Sequence, residues 1–138
     1  MKIYFAGSIR GGRADAHIYK ELVALLSIYG KVLTEHVGDT TLPESGETGE
    51  TMEYIFERDV KWIADSDVLV AEGTTQSLGV GYEIGTAERL GKRILCLYRP
   101  QEGKLLSGMV LGNKKLQVEL YRDITDAEAI LEKFFKTK

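Results

Sequence analysis

The sequence predicts an α/β fold, a three-layer α/β/α arrangement on a five-stranded, mostly parallel sheet, and three observations carry that expectation. Short apolar runs alternate along the chain with segments of helical periodicity. Several runs are apolar without a break, as in Val68-Leu69-Val70-Ala71, which marks strands covered on both faces. The 138 residues, 43% apolar and 28% charged, suffice for one compact domain over residues 1–138 and are too few for two.

Element by element, Met1 to Gly7 is a first strand ending in glycine. Ser8 to Arg13 is a glycine-rich turn, and a helix with Ala16, Tyr19, Val23 and Leu26 inward stops at Gly30. Lys31 to Val37 is expected as a second strand. The stretch Gly38 to Gly49, with Pro43 and three glycines, is a long loop of the kind that serves as a lid. Apolar residues at Met52, Ile55, Phe56, Val60 and Ile63 give a second helix over Glu50 to Ala64, followed by a third strand over Asp67 to Ala71. A third helix, Gly79 to Leu90, ends at Gly91, and Lys92 to Tyr98 is a fourth strand. A short helical segment (Leu105 to Leu111), a fifth strand (Leu116 to Leu120) and an amphipathic helix (Thr125 to Phe135, capped by Thr125) complete a flavodoxin/Rossmann-like succession. Ligands of such sheets sit at the carboxyl ends of the strands.

Composition narrows the partners. The net charge of −3 is spread along the chain with no basic run, so no surface for a nucleic-acid polymer is expected. The single cysteine, Cys96, lies inside an apolar strand and is assigned to packing. No segment has the succession of a signal peptide, and no apolar run nears the roughly 20 residues that span a bilayer. A cytoplasmic, reducing compartment is the expectation, with the nucleus open to it in a eukaryote, and no membrane partner.

Gly7-Ser8-Ile9-Arg10-Gly11-Gly12-Arg13 joins a strand end to a helix start, where free N–H groups and the helix dipole favour an anion. The spacing matches neither common phosphate-loop pattern, so glycines serving only a tight turn remain an alternative, against which the two arginines weigh. Asp59 falls on the apolar stripe of its helix, between Ile55 and Ile63, and Glu83 repeats the anomaly beside Val80 and Ala87. Inward carboxylates serve either as dipole or salt-bridge partners or, converging from two helices, as a pair for glycosidic chemistry. Glu35, His36 and Glu72 are placed at strand ends, with His36 the candidate proton carrier or base contact. With two histidines and one cysteine, no metal site and no cofactor are expected.

Four blocks together, Tyr4 to Arg13, Leu33-Thr34-Glu35-His36-Val37, Ser77 to Gly85 and Lys92 to Pro100, closely resemble the nucleoside 2-deoxyribosyltransferase family across most of the chain. The resemblance weakens at residues 38–52 and after Gly112. It implies that Glu83 is a nucleophile forming a glycosyl-enzyme intermediate, that Asp59 assists the departing base, and that Tyr4 stands beside the sugar. It further implies a phosphate pocket from Ser8, Ile9, Arg10, Gly11, Gly12 and Arg13 with Ser77 and Gly79, completed by Ser107 of a second subunit in a homodimer. His36 would sit near the base under the lid. The implied activity is hydrolysis of 2′-deoxynucleoside 5′-monophosphates to free base and 2-deoxyribose 5-phosphate, without cofactor. Base transfer, ribonucleotide cleavage of the CMP type, and nucleotide sensing without cleavage are the competing readings.

Overall fold

The computed structural model describes residues 1–137. Five strands, β1 (Lys2–Ala6), β2 (Lys31–Val32), β3 (Val68–Glu72), β4 (Arg93–Tyr98) and β5 (Gln117–Leu120), alternate with five helices: α1 (Ala16–Leu26), α2 (Met52–Asp65), α3 (Leu78–Arg89), α4 (Gly108–Leu111) and α5 (Ile124–Lys136). The sheet order is β2-β1-β3-β4-β5, and every neighbouring pair is parallel. The expected α/β/α sandwich is therefore present, with a wholly parallel sheet.

The strand period of two divides the core. Ile3, Phe5, Val68, Val70, Leu95 and Leu97 face α1 and α5, where they meet Tyr19, Leu22, Leu26, Leu131 and Phe134. Tyr4, Ala6, Leu69, Ala71, Ile94 and Cys96 point the other way, onto Ile63 of α2 and Val80, Ile84 and Ala87 of α3. Cys96 is 1% exposed and its thiol is pushed up to about 12 by burial, so it packs and does not react. The same alternation turns Tyr4 towards α2 and α3 and turns Glu72 away from them.

Three boundaries differ from expectation for physical reasons. The second strand stops at Val32 because the Thr34 hydroxyl replaces the ladder: it accepts from Phe5 N at 2.9 Å and donates to Phe5 O at 2.7 Å. The chain then turns through a 3₁₀ helix, Glu35–Gly38, so Glu35 and His36 sit on a turn rather than at a strand end. The last helix begins at Ile124, one residue earlier than expected, and is capped by Asp123 in place of Thr125: the Asp123 carboxylate accepts from Asp126 N at 2.9 Å, and Thr125 lies exposed within the first turn. Finally, of the α2 stripe only Ile63 is buried, while Met52 and Phe56 are about half exposed because this end of α2 overhangs a cleft.

Asp123→Ala should lower stability by about 1 kcal/mol in denaturant unfolding, whereas Thr125→Ala should stay within about 0.5 kcal/mol of the parent.

Candidate active site

A cleft of about 560 Å³ opens at the carboxyl ends of β1 and β3, a size suited to a small ligand. Gly7, Ile9, Arg10 and Gly11 wall one side, Gly46 and Glu47 of the long loop roof it, Met52, Ile55 and Asp59 line it from α2, and Gln76 to Val80 with Glu83 close it from the start of α3.

The two acids expected on separate helices meet here, joined by a residue of the sheet. Tyr4 Oη donates to Glu83 Oε1 at 2.7 Å from a position 1% exposed. Burial pushes the Glu83 carboxyl up to about 7, the Tyr4 bond pulls it back, and the charge of Asp59 adds to the rise. Asp59 is also held above the usual carboxylate range, first by burial and against the opposing pull of Arg58. Burial and the neighbouring carboxylates keep the Tyr4 phenol neutral, a donor only.

The other end of the cleft is built for an anion. Ser77 caps α3, its hydroxyl accepting from Val80 N at 3.3 Å, so the positive end of the helix dipole faces the space. Ser8 is fully buried and its hydroxyl has no protein partner. Gly11 cannot carry a side chain: a Cβ there would stand 2.6 Å from Gln76 O and 2.7 Å from Ser8 Oγ, so the β1 and β3 loops close on each other only through glycine. Gly12, at φ +128°, turns the chain into the segment leading to α1. Arg10 reaches the wall as an exposed residue, with Nη2 donating to Met52 Sδ at 3.3 Å and Gly46 close by.

Arg13, expected beside Arg10, lies outside this wall. Its five N–H donors all go to main-chain carbonyls: Nε to Leu42, Nη1 to Ser8 and Val37, Nη2 to Val37 and Asp39. It thus fastens the long loop to the anion turn. Ser107, capping α4, is likewise absent from this cleft and lines a second groove, across α3, with Met109 and Val110. Glu72 is buried on the opposite face, bonded by Thr74 and by Tyr121 Oη at 3.0 Å.

His36 stands under the loop with its ring 6.0 Å from Trp62 and Nε2 3.7 Å from Glu47, and burial lowers its pKa, leaving it neutral at neutral pH. Two residues escaped the sequence reading. Arg58 bonds both Glu47 and Asp59 and stacks 4.6 Å over Trp62, four residues on. The spacing of Arg58 and Trp62 on one helix was a usable signal for that stack; nothing local marked Glu47.

Because the folded Glu83 carboxyl sits near 7 against about 4.5 when solvated, the folded state binds the extra proton between those values, and stability falls as pH rises through them. Glu83→Gln should therefore leave the melting temperature near that of the parent at pH 4.5 and raise stability by about 1 to 3 kcal/mol at pH 8, read by thermal unfolding across that range.

Comparison with known proteins gives the family. Residues 3–127 match the family model described as nucleoside 2-deoxyribosyltransferase. The chain is 51% identical over 140 residues to the 5-hydroxymethyl-dUMP N-hydrolase of Danio rerio, covering 99% of this chain and 97% of that one. It is 46% identical over 140 residues to the human protein of the same name, covering 97% and 79%. Among solved structures it superposes on a Clostridium botulinum CMP N-glycosidase (TM-score 0.69, 16% identity, 97% and 99% covered) and on a 2-deoxyribosyltransferase of Bacillus psychrosaccharolyticus (TM-score 0.66, 20% identity, 93% and 90% covered). At those identities the two structures speak for the fold, and the family model and the relatives place this chain in the nucleoside 2-deoxyribosyltransferase family.

Proposed function

We propose that this protein hydrolyses the N-glycosidic bond of 2′-deoxynucleoside 5′-monophosphates, 5-hydroxymethyl-dUMP among them, to free base and 2-deoxyribose 5-phosphate. One observation carries the reading: the Tyr4, Glu83 and Asp59 cluster shares a single cleft with an anion turn and a helix N-terminus. A sugar whose 5′-phosphate rests on Ser8 to Gly12 and Ser77 to Gly79 presents its anomeric carbon towards the carboxyls. The relatives named as N-hydrolases of a deoxynucleoside monophosphate support the same substrate class.

The chemistry follows from the two environments. The two carboxyls share one proton; in the form that reacts it rests on Asp59, and Glu83, ionised and steadied by Tyr4, attacks C1′, the C1′–N bond breaks and its electron pair leaves with the base, which takes the Asp59 proton. Water then adds to C1′ as the ester bond to Glu83 breaks, giving its proton to the Asp59 carboxylate and restoring both acids. Tyr4 favours a 2′-deoxy sugar, since a ribose hydroxyl beside it would compete for the Tyr4 to Glu83 bond. His36 and the 38–49 loop cover the base.

The active unit is a homodimer. Leu78, at 96% exposure, lines the cleft and, with Met109 at 85%, the neighbouring groove, more bare apolar side chain than a solvated helix face calls for. Ser107 lines that groove and lies outside its own chain's cleft, which suits a residue delivered to a partner's phosphate.

The test is release of free base from 5-hydroxymethyl-dUMP, dGMP, dCMP, deoxyguanosine and GMP, followed by chromatography. Release is expected from deoxynucleoside monophosphates and not from deoxyguanosine or GMP, and Glu83→Ala should lower it by at least about a thousandfold. Cleavage of GMP, or release only with an acceptor base, overturns the reading. An equal mixture of Glu83→Ala and Ser107→Ala chains should recover activity through mixed dimers holding one intact site; additive loss would exclude the shared site.

A further inference from the structure

We propose that Glu47, carried on the loop that roofs the cleft, keeps Asp59 in its proton-donating form by engaging both terminal nitrogens of Arg58. The proposal rests on the role given to Asp59 above and assigns Glu47 as a positioning residue that acts through Arg58.

The geometry is a three-membered relay. Arg58 Nη1 and Nη2 donate to Glu47 Oε1 and Oε2, both at 2.7 Å, the bidentate fork that most fully engages a guanidinium. Its third nitrogen, Nε, donates to Asp59 Oδ1 at 2.9 Å, and Nη2 stands 2.9 Å from the same oxygen, so Arg58 is shared between the two acids. The Arg58 side chain is 12% exposed and flanked by the rings of Trp62 and Tyr54, so water screens it little. An unpaired guanidinium at that distance favours the Asp59 carboxylate, the wrong state for a proton donor. With Glu47 in place the Arg58 and Glu47 pair carries no net charge, and the burial of Asp59 is left to decide.

The other groups facing Asp59 do not supply that compensation. His36, from the 3₁₀ turn, is kept neutral at neutral pH by burial. Tyr4 of β1 stays a neutral phenol, and Glu83 of α3 is an acid whose own carboxyl the Asp59 charge helps to raise, so neither offsets the Arg58 cation at Asp59. Arg58 is the cation bonded to Asp59, and Glu47 is the acid that balances it. The loop that roofs the cleft therefore also sets the charge around the donor: Arg58 alone pulls Asp59 towards the carboxylate, and Glu47 on the loop balances that pull.

Charge-balance variants test this. The Asp59 carboxyl is titrated by carbon-13 NMR, with Asp59→Asn locating its resonance, alongside the pH profile of base release from 5-hydroxymethyl-dUMP. Glu47→Gln should lower the Asp59 midpoint by about one pH unit and reduce kcat on the alkaline limb about tenfold. Arg58→Gln should move the midpoint up, and the Glu47→Gln/Arg58→Gln double variant, again neutral, should return it towards the parent. If Glu47 only anchored the loop, KM would rise in both single variants, the midpoint would stay fixed and the double variant would show no recovery; that pattern overturns the proposal. A midpoint that shifts as expected in a protein that releases no base from any substrate would retain the relay and overturn the function proposed above.

Discussion

Everything at the cleft depends on where the winding of the sheet reverses. In the order β2-β1-β3-β4-β5 the chain moves outward from β1 to β2 and then returns past β1 to β3. The connections leaving β1 and β3 therefore go to opposite faces, β1 into α1 and β3 into α3, and their loops part at the carboxyl edge. The gap between them is the cleft. It remains narrow because Gly11 lets the β1 loop rest against Gln76 and Ser77, so the two parts of the anion turn are held by main-chain contact rather than by long side chains.

Two polar clusters follow from the alternation of the strands, one on each face of the same edge. On the α2 and α3 face, Glu83 and Asp59 are half-buried and line the cleft, with the buried Tyr4 bonded to Glu83. On the α1 and α5 face, Glu72 is closed in: Tyr121 bonds it, Arg99 Nε donates to Tyr121 Oη at 3.1 Å, and Arg99 pairs with Asp15 at 2.6 Å. Asp15 precedes α1 and accepts from Thr75 Oγ1 at 3.0 Å, so this second cluster ties together the loops after β1, β3 and β4. Breaking a buried pair of this kind leaves an uncompensated charge, which makes it costly to disturb and suited to holding loops still.

The sequence exposed those features that depend on local period and composition. Unbroken apolar runs marked the central strands, and a carboxylate interrupting each of two helical stripes marked Asp59 and Glu83 before any geometry was known. Tyr4 as a site residue came from the family resemblance, since a tyrosine in an apolar strand is ordinarily core. What stayed hidden depends on contacts distant in sequence. The Thr34 hydroxyl that ends β2 bonds Phe5, 29 residues earlier, and the Glu47 fork closes from the loop onto Arg58, 11 residues later and inside α2. A strand pattern cannot show that a side chain will take over its ladder, and a loop's composition cannot show which of its acids will find a guanidinium.

The contrast between the two arginines of the anion turn shows why charge counting along a motif misassigns roles. Both lie within four residues of each other, and either is the right cation for a phosphate. Arg13 is surrounded by carbonyls that end short segments, those of Ser8, Val37, Asp39 and Leu42, which lack ladder partners once β2 is cut short. A guanidinium with five donors satisfies them together, and withdrawing it to grip an anion would strip that donor from the carbonyls of the buried residues Ser8 and Val37. Arg10, facing open solvent with a thioether as its neighbour, gives up almost nothing to meet a dianion. The early turn that shortens β2 therefore divides the labour: it creates the carbonyls that hold Arg13 to the loop and leaves Arg10 free for the ligand.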